Sequence, residues 1–396
     1  MKKSVEQEGM KRMRYMTAGE SHGKGLTVII DGMPSGLTID FEAIQREMTR
    51  RQGGYGRGRR MQIEQDQIDS RGGIRHGYTT GSPISLFIEN KDHTHWTQVM
   101  QAEPLEEELE RPRTLTRPRP GHADLVGGLK YGHRDLRDVL ERSSARETAA
   151  RVAVGAFAKQ LLNELGIEVF SHVRSIGGID APWKDPVEYQ ETIDASPVRC
   201  ADELAGQRMM EEIDAAKKEG DTLGGEIEVV VTGMMPGVGS FTQNDLKLDS
   251  RIAQAVISVN AMKSVGFGDG YELGRRKGST VQDEIIHDDA GYHRRTNHLG
   301  GIEGGMSTGM PIRVQVAMKP IPTLYRPLQS VDIETKEAFS AQIERSDACA
   351  VPAASVVLEA VVAFEIAVAI LEMFGTSTLN RLQAAVAAYK EEVRTF

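Results

Sequence analysis

At 396 residues and 39% hydrophobic content the chain can bury a substantial core, which excludes wholesale disorder. A formal net charge of −9 gives no global electrostatic case for a nucleic-acid or membrane partner, so any anion site must be a local gathering of positive charge. Cys200 and Cys349 stand far apart and in no CxxC or Cys/His cluster, so neither a disulfide framework nor a metal site is expected and a reducing cytoplasm is the expected compartment.

Residues 1–12 carry Lys2 and Lys3 but lack the apolar run of a secretory signal, and read as a flexible N-terminal extension. GESHG at 19–23 matches the GxSxG elbow of hydrolases, yet an elbow needs a strand before it and a helix after it. Here an apparent strand at 26–30 follows, so Ser21 and His22 read as polar groups of another kind of site, with plain loop structure as the alternative. Helical periodicity over 41–51 runs into TRRQGGYGRGRR at 49–60, five arginines among glycines. Glycine lets the backbone approach a ligand and guanidinium forks grip phosphate or carboxylate; a solvated basic loop or an RNA-binding Arg-Gly segment are the competing readings.

A strand is expected at 84–88, and then RPRPGHADLVGG at 117–128 uses prolines and a glycine to fix a loop that presents His122 beside Arg117 and Arg119. Arginine neighbours depress a histidine pKa, but a bound phosphate dianion would offset them and let His122 protonate a departing phosphate. The alternative is a structural histidine beside Asp124. A helix over 136–165 contains ERSSA at 141–145, where Arg142, Ser143, Ser144 and Arg146 could offer a fork and hydroxyls to phosphate.

The polar stretch 180–221 reads as a peripheral helix or lid. Beyond it come a strand at 227–231, a helix at 245–262, a strand at 312–316 and a helix at 353–373. ERSDA at 344–348 places Asp347 where the earlier ERS motif has Ser144, which makes Asp347 a candidate for proton transfer, or else a helix cap. The most apolar stretch, 351–374, is interrupted by Glu359, Glu365 and Glu372, which would be costly in lipid, so a core helix is expected. No Walker A loop, no complete GxGxxG after a strand and no HExxH are present.

Two portions of the chain repeat. GGIRHGYTTGSPI at 72–84 matches GGIEGGMSTGMPI at 300–312 at eight of thirteen positions, VIIDGMPSG at 28–36 parallels VVVTGMMPG at 229–237, and ERSSA parallels ERSDA. Three matches in one order indicate an internal duplication, far too long in period for a solenoid. The expectation is an α+β fold, a single domain over 13–396 with two similar halves (about 13–165 and 222–375) and helices rich in small residues between two sheets.

TAGESHG at 17–23, RRQGGYGRG at 50–58, RPGHAD at 119–124, ERSSARET at 141–148, NHLGGIEGGMSTG at 297–309, KPIPTL at 319–324 and ERSDA together resemble chorismate synthase, from about Met13 to the final helix. The resemblance implies a cytoplasmic carbon–oxygen lyase of the shikimate pathway of aromatic amino-acid biosynthesis. Its reaction is the anti 1,4-elimination of phosphate and a ring hydrogen from 5-enolpyruvylshikimate 3-phosphate to give chorismate. Reduced FMN is required without net redox change, and arginines stabilise the accumulating negative charge. It also implies helices sandwiched between two antiparallel β-sheets, assembled as a homotetramer.

Carried over motif by motif, His122 would protonate the leaving phosphate, His22 would act near the flavin, and Asp347 would assist proton removal through the flavin. Arg51, Arg57, Arg60, Arg119, Arg146 and Arg345 would surround the substrate, with Ser21 and Ser144 nearby. Flavin contacts would come from Arg142, Ser143, Ser144, Asn260, Ala261, Gly304 and Arg345. The loop of Lys319, Pro320, Ile321, Pro322 and Thr323 would add to them. Arg51 and Arg57 could also serve NADP, with NADPH or a separate flavin reductase as the source of electrons.

Overall fold

Alternation in GLTVIID turns Leu26, Val28 and Ile30 inward and leaves Ile29 exposed, the period-two pattern of a strand with one buried face. The computed structural model describes residues 13–58, 65–104, 113–289, 291–344, 346–375 and 377–396, so the expected N-terminal extension lies outside the described residues. Strands Arg14–Ala18 (β1), Gly25–Asp31 (β2), Ile68–Gly72 (β3) and Ile84–Glu89 (β4) form one antiparallel sheet in the order β1-β2-β4-β3, with Val28 opposite Leu86. Strands Glu168–Ile176 (β5), Ile179–Asp180 (β6), Gly225–Thr232 (β7), Met262–Phe267 (β8) and Ile312–Met318 (β9) form a second, in the order β8-β9-β7-β5-β6. Its centre pairs Val229 of β7 with Ser171 on one side and Val314 on the other.

The helices are Phe41–Gln52 (α1), Asp124–Tyr131 (α2), Arg137–Ser143 (α3), Thr148–Asn163 (α4), Gln190–Ala195 (α5), Glu203–Glu219 (α6), Leu248–Ile257 (α7), Val351–Phe374 (α8) and Leu379–Thr395 (α9). Asp40 starts α1 by accepting from the Ala43 amide at 2.9 Å, a side-chain cap that satisfies one of the helix's orphan donors. Helix α4 lies along α8; α8 packs on β5 and β7, while α4 reaches β2. Small residues make the approach close: a Cβ on Gly155 would stand 2.2 Å from that of Ala360. Leu86, Phe157, Val229, Val314 and Val362 belong to a single continuous apolar core, and each fully buried side chain of this kind contributes roughly 1.5–3 kcal/mol relative to exposure.

Helix α8 is long and apolar enough to cross a membrane by length and composition, and it is buried inside the protein. Glu359, 0% exposed, is held by a ring of cations: Arg50 donates to both of its oxygens at 2.9 Å, Lys159 donates at 2.6 Å and Arg199 at 3.0 Å. Burial alone would push this carboxyl up; Arg50, Lys159 and Arg199 outweigh it and hold it well below the usual carboxylate range.

Three expectations of regular structure are corrected. The helix expected over 136–165 breaks at Ser144, which is extended (φ −66, ψ 144) and caps the Arg146 amide with its hydroxyl, so α3 and α4 flank a short 3-10 turn. The helix expected over 245–262 stops at Ile257, because Ala261 takes a left-handed φ of 70° and β8 follows. The polar stretch 180–221 is not merely peripheral: Met209 and Ile213 of α6 are buried, and its end carries Lys217 and Asp221 to the cavity described next.

Candidate active site

GESHG forms the connection between β1 and β2, and no helix follows it. Four hydrogen bonds from two distant residues fix this loop. Arg142 donates to the Gly19 and Thr17 carbonyls at 3.0 Å, and the Asn90 amide donates to the carbonyls of Glu20 at 3.0 Å and Gly23 at 2.8 Å. The loop delivers His22, whose ring stacks on Trp96 with centroids 3.9 Å apart. Nδ1 lies 3.0 Å from both oxygens of Glu141, and Nε2 lies 4.0 Å from Asp92. Burial pushes the Glu141 carboxyl up, but His22, by hydrogen bond and charge, and then Arg137 bring it below its ordinary value. The two carboxylates and the indole fix the orientation of the imidazole.

Beside His22, the Ser144 hydroxyl donates to that of Ser21 at 3.1 Å. Behind them a buried carboxylate, Asp66, joins two arginines: Oδ1 accepts from Arg146 Nη1 at 2.6 Å and Oδ2 from Arg51 Nη1 at 3.3 Å. Arg51 also donates to Thr148 Oγ1 and the Ala145 carbonyl, both at 3.1 Å, and Arg146 Nε donates to Asn90 at 2.9 Å. Among the described residues, Arg146 Nη2 is buried without a hydrogen-bond partner.

The second imidazole is that of His122. Its Nδ1 lies 2.6 Å from Asp124 Oδ1, and Arg119 donates to the same carboxylate through Nε at 2.9 Å and Nη2 at 3.1 Å. Arg119 Nη1 donates to Thr323 Oγ1 at 2.9 Å, so the RPGHAD loop is tied to the 319–323 loop. The Arg119 guanidinium is therefore engaged within the protein. Asp124 is fully buried, which pushes its carboxyl up, yet the hydrogen bonds from His122 and Arg119 hold it well below the carboxylate range. On the remaining wall Asp347 accepts from Arg57 Nη1 and from the Gly58 amide, each at 2.6 Å.

The 319–323 loop is anchored by the Lys319 amide on the Ala261 carbonyl at 3.0 Å and by the Thr222 hydroxyl on the Ile321 carbonyl at 2.7 Å. Asn260 donates to the Ser143 carbonyl at 2.9 Å. Burial first, and Lys263 second, push the Lys319 ammonium down, so an anion nearby would relieve it. Ala261, Met262, Met318, Ile321 and Pro322 add an apolar shelf.

These groups line one cavity of about 900 Å³. Of the expected site residues it brings together Ser21, His22, Arg51, Arg57, Arg119 and His122, with Ser143, Ser144, Arg146, Asn260, Ala261 and Asp347. Lys319, Ile321, Pro322 and Thr323 line it as well. Arg142, Gly304 and Pro320 are not among its lining: Arg142 is spent on Thr17 and Gly19, and Gly304 sits in the turn between the short strands Ile302–Glu303 and Met306–Ser307. Arg60 and Arg345 lie outside the described residues. Asp66, Asn90, Asp92, Trp96 and Glu141 were not singled out in the sequence; only Glu141 stood inside a motif that was. No group of three potential metal ligands occurs among the described residues.

A cavity of this size lies at the upper end for small-molecule sites and has room for two small ligands side by side. Cations, apolar side chains and two carboxylate-backed imidazoles around one cavity suit anionic ligands and proton transfer. A family model described as chorismate synthase matches residues 13–371. The chain is 84% identical over 384 residues to a protein of Exiguobacterium sibiricum named chorismate synthase, covering 97% of this chain and 100% of that one. A protein of Bacillus pumilus with the same name is 60% identical over 390 residues, again covering 97% and 100%. A solved structure titled as a crystal structure of chorismate synthase superposes with a TM-score of 0.79 at 39% identity, covering 98% of this chain and 100% of that chain.

Proposed function

We propose that this chain, which belongs to the chorismate synthase family, eliminates phosphate and a ring hydrogen from 5-enolpyruvylshikimate 3-phosphate to give chorismate, in the presence of reduced FMN. The observation that carries this reading is the single cavity lined together by Arg146, Ser21, Ser144, His22, His122 and Asp347. The residues fit the flavin: the shelf of Ala261, Met262, Met318, Ile321 and Pro322 suits a planar apolar ring, and Lys319 suits its phosphate. When bound, reduced FMN supplies a transient electron that eases departure of the substrate phosphate and is returned.

The division of labour we favour reverses the one expected from sequence. His22 adjoins Ser21, Ser144 and Arg146, a set of donors suited to a phosphate, so it is assigned protonation of the leaving group. His122 shares Asp124 with Arg119, and Arg119 reaches Thr323 of the expected flavin loop, so His122 is assigned to hold a proton near that loop. Asp347, fixed by Arg57 and Gly58, is assigned to the side from which the ring hydrogen leaves. Arg51 spends Nε, Nη1 and Nη2 on Thr148, Asp66 and Ala145, which favours a separate flavin reductase over NADPH bound at Arg51 and Arg57.

The finer architecture belongs to the same proposal: one cytoplasmic domain over 13–396, duplicated about two halves, with helices sandwiched between the two sheets, assembled as a homotetramer. A main apolar core to which both sheets contribute, and the contacts of α4 with β2 and of α8 with β5 and β7, support the first part. The test of function is anaerobic incubation with 5-enolpyruvylshikimate 3-phosphate and photoreduced FMN, following chorismate absorbance and phosphate release together. Equal, flavin-dependent appearance of both products is expected; neither product from folded protein would sink the reading.

A further inference from the structure

We propose that Asp124 is a positioning residue that fixes the tautomer of His122, keeping the proton on Nδ1 and presenting Nε2 to the cavity as the nitrogen that gains and loses the working proton. The proposal rests on the reading that His122 handles a proton in the elimination.

Geometry supplies the argument. His122 Nδ1 and Arg119 Nη2 lie 3.1 Å apart and both converge on one acceptor, Asp124 Oδ1, at 2.6 and 3.1 Å. An imidazole with a bare lone pair on Nδ1 would set that lone pair against an ionised carboxylate oxygen, which is repulsive, so Nδ1 must be the donor. Asp124 is kept ionised because Arg119 grips both of its oxygens, and its second oxygen also accepts from the Arg119 amide at 3.2 Å. The carboxylate is fully buried, so no water competes for its oxygens. With Nδ1 committed, Nε2 is the ring nitrogen left for the cavity that His122 lines. The charged groups in contact with His122 are Asp124 and Arg119 on its own loop; from the 319–323 loop, Lys319 approaches the neighbouring residue, its Nζ 3.5 Å from the position a Cβ on Gly121 would occupy.

A purely structural Asp124 would tie the loop to Arg119 and nothing more, so the test separates the two roles. In the full-length protein, the ¹⁵N shifts of His122 report its tautomer and titration without any ligand. Neutral His122 is expected to carry its proton on Nδ1; a neutral form protonated on Nε2 overturns the proposal, and this measurement needs no variant. In Asp124→Asn, His122 is expected to lose its proton at lower pH, and turnover is expected to fall at least tenfold with the matching limb of the pH–rate profile displaced the same way. Adding Asp124→Asn to His122→Ala should cost no further activity. An unchanged His122 titration in folded Asp124→Asn overturns the inference, whereas full turnover by His122→Ala would sink the underlying reading instead.

Discussion

Asp66 stands between Arg51 and Arg146 with one oxygen for each, at 3.3 and 2.6 Å, and is 1% exposed. The pairing turns two mutually repelling cations into a rigid part of the cavity lining. Asp66→Ala removes the carboxylate both arginines share, and a broken buried ion pair costs about 3–5 kcal/mol. Urea unfolding should show a loss of that size, and whatever enzyme remains folded should have a raised KM for the phosphorylated substrate. A loss below about 1 kcal/mol would show that Asp66 does not bind the pair together.

Glu359 makes a pH prediction. Its carboxyl is held below the usual range in the folded protein, so its stabilising contribution is complete above the unfolded value of about 4.3 and is lost as the pH falls below that. Glu359→Gln should melt well below the parent at pH 7, and the gap should narrow as both are taken toward pH 3. Chorismate formation per folded molecule should be unchanged, because Glu359 is not among the cavity residues. A gap that widens in acid contradicts the assignment.

Asp347→Asn keeps an acceptor for the Gly58 amide but loses the charge that faces Arg57. Turnover should fall about 100-fold or more, the range of a lost acid–base group, while the melting temperature moves little. Normal turnover would reduce Asp347 to a structural anchor for the arginine-glycine loop.

Gly155→Ala puts a methyl group 2.2 Å from the Cβ of Ala360 and should destabilise by about 1–3 kcal/mol through overpacking. Combining it with Ala360→Gly should recover part of the loss. Additive losses in thermal melts of the two single variants and the double would show that the helices do not meet there.

Period-two and helical patterning made β2, β4, β7, β9, α1 and α8 legible, because each has a face or a whole surface that must leave water. The break at Ser144 was not, since ERSSARET has good helix formers on both sides and the hydroxyl that stops the helix does so by capping Arg146. Charged and glycine-rich motifs marked Arg51, His122, Ser144 and Asp347 as chemistry, and the fold gathers them around one cavity. Their partners escaped notice for a common reason. Asp66, Asn90 and Trp96 occupy unremarkable local sequence, and each acquires its meaning from a residue tens of positions away: Arg146, the GESHG loop and His22. Asp124 was visible as a neighbour of His122, but adjacency in sequence does not say which nitrogen it holds.

Helix α8 also bears on how the chain reaches its folded state. A ribosome-bound segment has no partners, and to the membrane-insertion machinery 351–374 offers the length and hydropathy of a spanning helix. A carboxylate near the middle of such a segment is penalised by about 2.5–3.5 kcal/mol on insertion scales. Glu359 thus biases the nascent segment away from lipid before Arg50, Lys159 and Arg199 close around it. The acidic residues that make the segment costly in lipid thus include the one around which α1 and α4 are held to α8 in the folded protein.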